Sequence, residues 1–148
     1  MPATNLPPVL QTLGLFLCEK ILQEKDDVLT YIRNVELFNV VIVPEVPIER
    51  QGPTMTVVII GKVRPNDTTE HTVQLHLIRP SGETKIVGDE VKAVFTSRLP
   101  EYPGGFNIVQ QMTVSAKEMG LHYMAVLFDG EEVARTPFML QPATGAAQ

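Results

Sequence analysis

His71-Thr72-Val73-Gln74-Leu75-His76-Leu77-Ile78-Arg79-Pro80-Ser81-Gly82-Glu83 is the stretch on which the fold turns. Val73, Leu75 and Leu77 alternate with Thr72, Gln74 and His76, and a period of two sends the two sets to opposite faces of a strand. One face is wet and the other packed. Pro80-Ser81-Gly82-Glu83 then turns the chain into Thr84 to Val87, which predicts a hairpin, and a further apolar segment runs from Val91 to Thr96. Upstream, Thr54-Met55-Thr56-Val57-Val58-Ile59-Ile60-Gly61-Lys62-Val63 is β-branched and apolar on both faces, as a central strand requires. It stops at the turn cluster Pro65-Asn66-Asp67.

Downstream, Tyr102-Pro103-Gly104-Gly105 breaks the pattern before a strand in which Phe106, Ile108, Met112 and Val114 are the predicted core positions and Gln110 interrupts the stripe. Ser115 to Gly120 reads as a single helical turn or a corner. Leu121 to Phe128 is a strong strand. Asp129-Gly130 is the most specific hairpin signal in the chain, because a two-residue turn of that kind needs positive φ at its centre. Glu132 to Leu140 returns as the last strand.

The first third is ambiguous. Leu10, Leu13, Leu17 and Ile21 fit a helical stripe, with Pro7 and Pro8 suited to a helix start, whereas Leu13, Leu15 and Leu17 equally fit one strand face. The polar cluster Gln23 to Asp27 followed by Val28-Leu29-Thr30-Tyr31-Ile32, rich in β-formers, favours a hairpin. Pro44, Pro47 and Pro53 make residues 44–53 a crossing loop, since proline cannot donate to a sheet ladder. The expectation is an all-β, immunoglobulin-like antiparallel β-sandwich of about seven to eight strands. Residues 9–141 form its single domain, between a flexible segment at 1–8 and a flexible tail at 142–148.

The 148 residues carry a formal net charge of −5 and one cysteine. A lone cysteine excludes an intramolecular disulfide, and the acidic balance argues against nucleic acid, whose phosphates select clustered Lys and Arg. No basic residue precedes Lys20, so a secretory signal is not expected, and no apolar run approaches the roughly 18–20 residues of a membrane span. A cytoplasmic protein without membrane insertion is the reading. Asn66-Asp67-Thr68 fits a glycosylation sequon but, without export, reads as a turn.

Three stretches carry a resemblance: Leu15-Phe16-Leu17-Cys18-Glu19 leading through an acidic turn to Leu29 to Ile32; Leu75 to Glu83; and Gly120-Leu121-His122-Tyr123 running into Phe128-Asp129-Gly130-Glu131-Glu132-Val133. In these the chain resembles an uncharacterised bacterial family of small single-domain proteins with an immunoglobulin-like or fibronectin type III-like sandwich. The resemblance covers most of the chain and implies the fold; it brings no catalytic residues. The chain departs from true immunoglobulin domains in lacking the buried tryptophan and the cysteine bridge, and Ala125 stands where a cysteine would follow Tyr123.

No residue pattern points to catalysis, a metal or a cofactor. Cys18 lies beside Glu19, which disfavours the thiolate that nucleophilic chemistry needs, so a core role is expected. His71 and His76 are an odd number of residues apart and fall on opposite strand faces; His76 and His122 could meet across strands but lack a third ligand for zinc. All three histidines are expected to be solvated. The turn carboxylates, among them Asp26, Asp27, Asp67, Glu70, Asp89, Glu90, Asp129, Glu131 and Glu132, lack the spacing of a calcium loop. Gly104-Gly105 lacks the Lys and Ser or Thr of a phosphate loop.

A non-catalytic binding or structural module, acting through a protein partner or self-association, fits this pattern best. Open sheets leave edge strands able to pair with another chain. Leu37 to Val43 and Met55 to Ile60 would add an apolar patch if either reached the surface. The alternative is a small-molecule or carbohydrate-binding sandwich using the loop of Tyr102, Pro103 and Phe106, weakened by the absence of tryptophan for sugar stacking. A cysteine-dependent enzyme is the remaining alternative.

Overall fold

The computed structural model describes residues 6–23 and 29–143, leaving out the side chains of 20–34. Nine strands are present among them: β1 (Leu10–Gln23), β2 (Leu29–Asn34), β3 (Leu37–Val40), β4 (Thr54–Val63), β5 (His71–Ile78), β6 (Thr84–Ala93), β7 (Gly104–Thr113), β8 (Gly120–Phe128) and β9 (Glu131–Pro142). The only helical element among the described residues is a short 3-10 turn, Ile48–Arg50, inside the crossing loop. The chain is therefore all-β, and no helix among the described residues is long and apolar enough to cross a membrane.

The strands form two sheets, one in the order β2-β1-β4-β7 and the other in the order β3-β9-β8-β5-β6. The count exceeds the seven to eight expected. One reason is β3, four residues that pair in parallel with β9, Leu37 opposite Met139 and Val40 opposite Pro142. Counting hairpins from turn signals finds antiparallel neighbours and misses a short parallel edge strand of this kind. In the other direction, the two apolar segments around Thr84 and Val91 are one strand. It is carried over a register shift by Gly88, whose φ of 68° sits in the left-handed region.

β1 resolves the ambiguity of the first third in favour of the strand. It lies between β2 and β4, so its backbone groups are used on both edges, and Leu13, Leu15 and Leu17 turn toward the core while Phe16 remains 38% exposed. A helix over the same residues could not satisfy two ladders. β4 is the central strand its composition predicts. Met55, Val57, Ile59 and Val63 enter the core, and Thr56 and Val58 are buried on the opposite face.

The core between the sheets is one cluster. Leu10, Leu17, Met55, Val57, Ile59 and Val63 of the first sheet meet Val73, Leu75, Leu77, Met124, Val126 and Phe138 of the second. Phe106 lies over Gly61, where an added Cβ would come within 2.2 Å of the ring. That close approach explains a glycine in an otherwise β-branched strand. Phe106 also packs against Phe95, with ring centroids 4.6 Å apart, and against Phe128 at 6.5 Å.

The turns follow their local chemistry. Asp129 and Gly130 have φ of 51° and 83°, both positive, and join β8 to β9 as a tight hairpin. Ser115 to Gly120 is a turn with no helix, and Gly120 opens β8. The crossing loop before β4 is held by the Gln51 side chain: its Oε1 accepts from the Val43 N–H at 2.6 Å, and its Nε2 donates to the carbonyls of Val43 and Val46, both at 2.8 Å. Of the flanking segments, residues 1–5 and 144–148 lie outside the described residues, while Pro142 ends β9 and the Ala143 N–H donates to the Val40 carbonyl at 2.8 Å.

Candidate functional site

His71 opens β5 on the same face as Val73, Leu75 and Leu77, so its ring is carried into the core instead of solvent. The Asp67 carboxylate reaches its Nε2 from the preceding turn, and the Asp129 carboxylate reaches its Nδ1 from the β8–β9 turn, each at 2.6 Å. The Asp129 Oδ1 also accepts from the Thr72 N–H at 2.9 Å, and the imidazole stacks on Phe128 at 4.9 Å between centroids. Burial opposes the charged ring, but its hydrogen bonds to the Asp129 and Asp67 carboxylates outweigh it and hold the His71 pKa above its ordinary value. Burial likewise pushes Asp67 up, yet His71, helped by Thr69, wins and keeps that carboxyl below its usual range.

Both ring nitrogens are engaged by carboxylates, and the raised pKa favours the imidazolium, a form with no lone pair to accept a proton or bind a metal. The arrangement is a clamp that ties two loops to the head of β5. It uses charge-assisted hydrogen bonds in a buried setting, where each partner depends on the others.

The other two histidines also depart from the solvated expectation to different degrees. His122 is fully buried on the inner face of β8, its Nδ1 donating to the Gly120 carbonyl at 2.9 Å and its ring stacked on Phe138 at 5.1 Å. Burial is the main cause that lowers its pKa, which favours the neutral ring. His76 lies half-buried on the outer face, opposite to His71 as the odd spacing requires, and its Nε2 meets Gln74 Oε1 at 2.8 Å. The pairing of His76 with His122 does not occur, because the two occupy opposite faces of their sheet. Among the described residues no three His, Cys, Asp or Glu side chains are grouped to hold a metal ion.

Cys18 is fully buried, its Sγ 3.6 Å from the Thr56 carbonyl oxygen, and burial pushes the thiol pKa up. The loop of Tyr102, Pro103 and Phe106 is not a joint surface. Tyr102 is 52% exposed with the Lys62 ammonium 5.4 Å above its ring, Pro103 is half-buried, and Phe106 is turned into the core. Phe106 points inward because it shares the core face of β7 with Ile108, Met112 and, just beyond the strand, Val114. Of the two apolar segments, Met55 to Ile60 is core, whereas Leu37 and Val41 to Val43 are exposed around the buried Val40.

Two surface features stand out. The first is the edge of β7, which among the described residues pairs with β4 alone and carries no charge and no proline over its ten residues. The second is a cleft of about 550 Å³ at the open side of the molecule, between β6 of one sheet and β7 of the other, with the 3-10 turn at its rim. Arg50, Arg79 and Lys85 line it together with Leu77, Val87 and Met112. An open edge was expected from the sequence, but neither the strand that supplies it nor the cleft was legible there, because both are set by sheet order.

Among solved structures, an alkylpurine DNA glycosylase of Pseudomonas fluorescens, AlkC, bound to DNA containing an abasic site analog, matches 86% of this chain at 11% identity and a TM-score of 0.50. A β-glucosidase from Listeria innocua in complex with glucose matches 89% of it, also at 11% identity, with a TM-score of 0.53. This chain spans 30% of the glycosylase and 16% of the glucosidase, so at this identity the likeness is one of fold within larger proteins. No curated protein matches the sequence. Residues 13–141 match the family of unknown function DUF6941, and the chain belongs to that family.

Proposed function

We propose that this protein is a non-catalytic binding module of immunoglobulin-like sandwich architecture that associates with a second copy of itself through β7. The observation that carries the reading is the edge of β7: ten residues, Gly104 to Thr113, with one side unpaired among the described residues and no charged side chain or proline to deter addition. Two such edges brought together antiparallel across a two-fold axis would meet no like charges. The other long edge is blunted. β6 bears Lys85, Asp89, Glu90 and Lys92 and is bent by the bulge at Gly88, which are the usual devices against edge pairing. β3, with four residues, is too short to compete.

Sedimentation at high micromolar concentration tests the reading, with a dimer as the expected species. Val109, 45% exposed on the outer face of β7, is the place to perturb it. Val109→Lys sets two ammonium groups near each other in the paired edge and should weaken association by about tenfold. A wild-type protein that stays monomeric at that concentration, or a Val109→Lys dimer of unchanged affinity, overturns it.

A further inference from the structure

The cleft between β6 and β7 concentrates positive charge on a chain of net charge −5. Its lining includes Arg50, Arg79 and Lys85 against a single carboxylate, Glu49. Arg79 is the unusual member. Its side chain is only 5% exposed, yet its compensation is incomplete. Nε donates to Glu83 Oε1 at 3.1 Å, but the same oxygen is 3.4 Å from Lys117 Nζ, so one half-exposed carboxylate serves two cations. Nη1 reaches the Ser115 carbonyl at a long 3.4 Å, and Nη2, for which no hydrogen bond is found among the described residues, is not fully enclosed. A nearly buried guanidinium costs free energy unless it is fully paired, and its outer end lies on the wall of an open cleft. Beside it the walls are apolar, from Leu77, Val87 and Met112.

We infer that the cleft is a binding site for a small organic carboxylate with an aliphatic body. The carboxylate would sit on the two terminal nitrogens of Arg79, a planar fork that matches it in bidentate fashion, with Arg50 and Lys85 adding charge from the rim. The aliphatic part would lie along Leu77, Val87 and Met112. A volume of about 550 Å³ falls within the size of ordinary ligand sites, about 300–1,000 Å³. The cleft shares Gln110, Met112 and Thr113 of β7 with the proposed pairing edge, and sedimentation reads the pairing while a titration reads the cleft, so the failure of one is distinguishable from the failure of the other.

The test is an amide-shift titration of the full chain with three probes: octanoate, octan-1-ol and inorganic phosphate. Octanoate is expected to bind in the millimolar range or tighter and to shift amides of β6, β7 and residues 77–79, with octan-1-ol and phosphate each at least about tenfold weaker. No shift up to about 10 mM octanoate overturns the site, and so does octan-1-ol or phosphate binding as well as octanoate. Arg79→Gln should abolish the preference for octanoate over octan-1-ol. Should that variant not fold, the double variant Arg50→Gln, Lys85→Gln changes only exposed rim residues and is expected to weaken octanoate by about tenfold while leaving octan-1-ol unchanged. Unchanged octanoate affinity in the double variant counts against the proposal.

Discussion

The His71 Nδ1 lies 2.6 Å from the Asp129 Oδ2, so that the first residue of β5 is fastened to the turn between β8 and β9, 58 positions away in the chain. On the other side of the ring Asp67, four positions earlier, makes the matching contact. The two carboxylates differ in setting: the Asp67 side chain is 2% exposed and that of Asp129 is 44% exposed.

Stability should therefore be greatest in a window between the ordinary carboxylate and histidine values. His71 has a raised folded-state pKa, so its contribution is complete below the unfolded histidine value and is lost as pH rises through the folded one. Asp67 has a lowered folded-state pKa, so its contribution is complete above the unfolded carboxylate value and is lost as pH falls through the folded one. Urea unfolding midpoints followed across pH will show both limbs. His71→Asn should flatten the alkaline limb; an unchanged alkaline slope in that variant would refute the assignment.

The two clamp carboxylates should differ in cost. Removing Asp67 leaves a buried imidazole without its enclosed partner, and Asp67→Asn should destabilise by about 3 kcal/mol. Asp129 is partly solvated, so Asp129→Asn, which keeps a side chain tolerant of positive φ, should cost about 1 kcal/mol. Thermal melts of the pair decide the order, and an equal or reversed order contradicts the burial argument.

Gly61→Ala should destabilise by about 1–3 kcal/mol, because the new methyl group meets the Phe106 ring at 2.2 Å in a packed core. Phe106→Leu removes the ring edge that collides. The double variant should therefore be less destabilised than the two single effects combined, a coupling that a double-mutant cycle on denaturation free energies will measure.

Cys18 should resist alkylation in the native protein. The thiol is fully buried beside the Thr56 carbonyl, and burial disfavours the thiolate. Iodoacetamide should label it only as the fold opens, so that the rate rises with urea; a native-state rate close to that of free cysteine would be incompatible with this burial.

Much of the fold was legible because the signals are local. The alternation in His71 to Ile78 depends only on the pleat of one strand, and the positive φ of Asp129 and Gly130 is a property of two neighbouring residues; both are found as expected. The central position of β4 was equally readable from apolar residues on both faces. Residues 9–22 were not decided by periodicity, because the leucines fit two periods. The ladders from β2 and β4 chose the strand.

The candidate sites were beyond local reading. Histidine and aspartate at positions 71, 67 and 129 look like turn and surface residues, and a solvated role follows from residue type alone. Only the pairing of β5 with β8 brings the Asp129 turn to His71, and only the face chosen by Val73, Leu75 and Leu77 carries the ring inward. Phe106 follows the same logic: beside Tyr102 in sequence it suggests a loop surface, yet its strand face commits it to the core.

Composition and periodicity by themselves determined an all-β chain with one cysteine, net charge −5 and identifiable turns, since these follow from residue counts and from geometry within a few neighbouring residues. Tertiary structure alone decided that β3 runs parallel to β9, that β6 and β7 border one basic cleft, and that His71 is held between two carboxylates. Each depends on which distant strands become neighbours, and that is fixed by burying all the apolar faces at once in a single core.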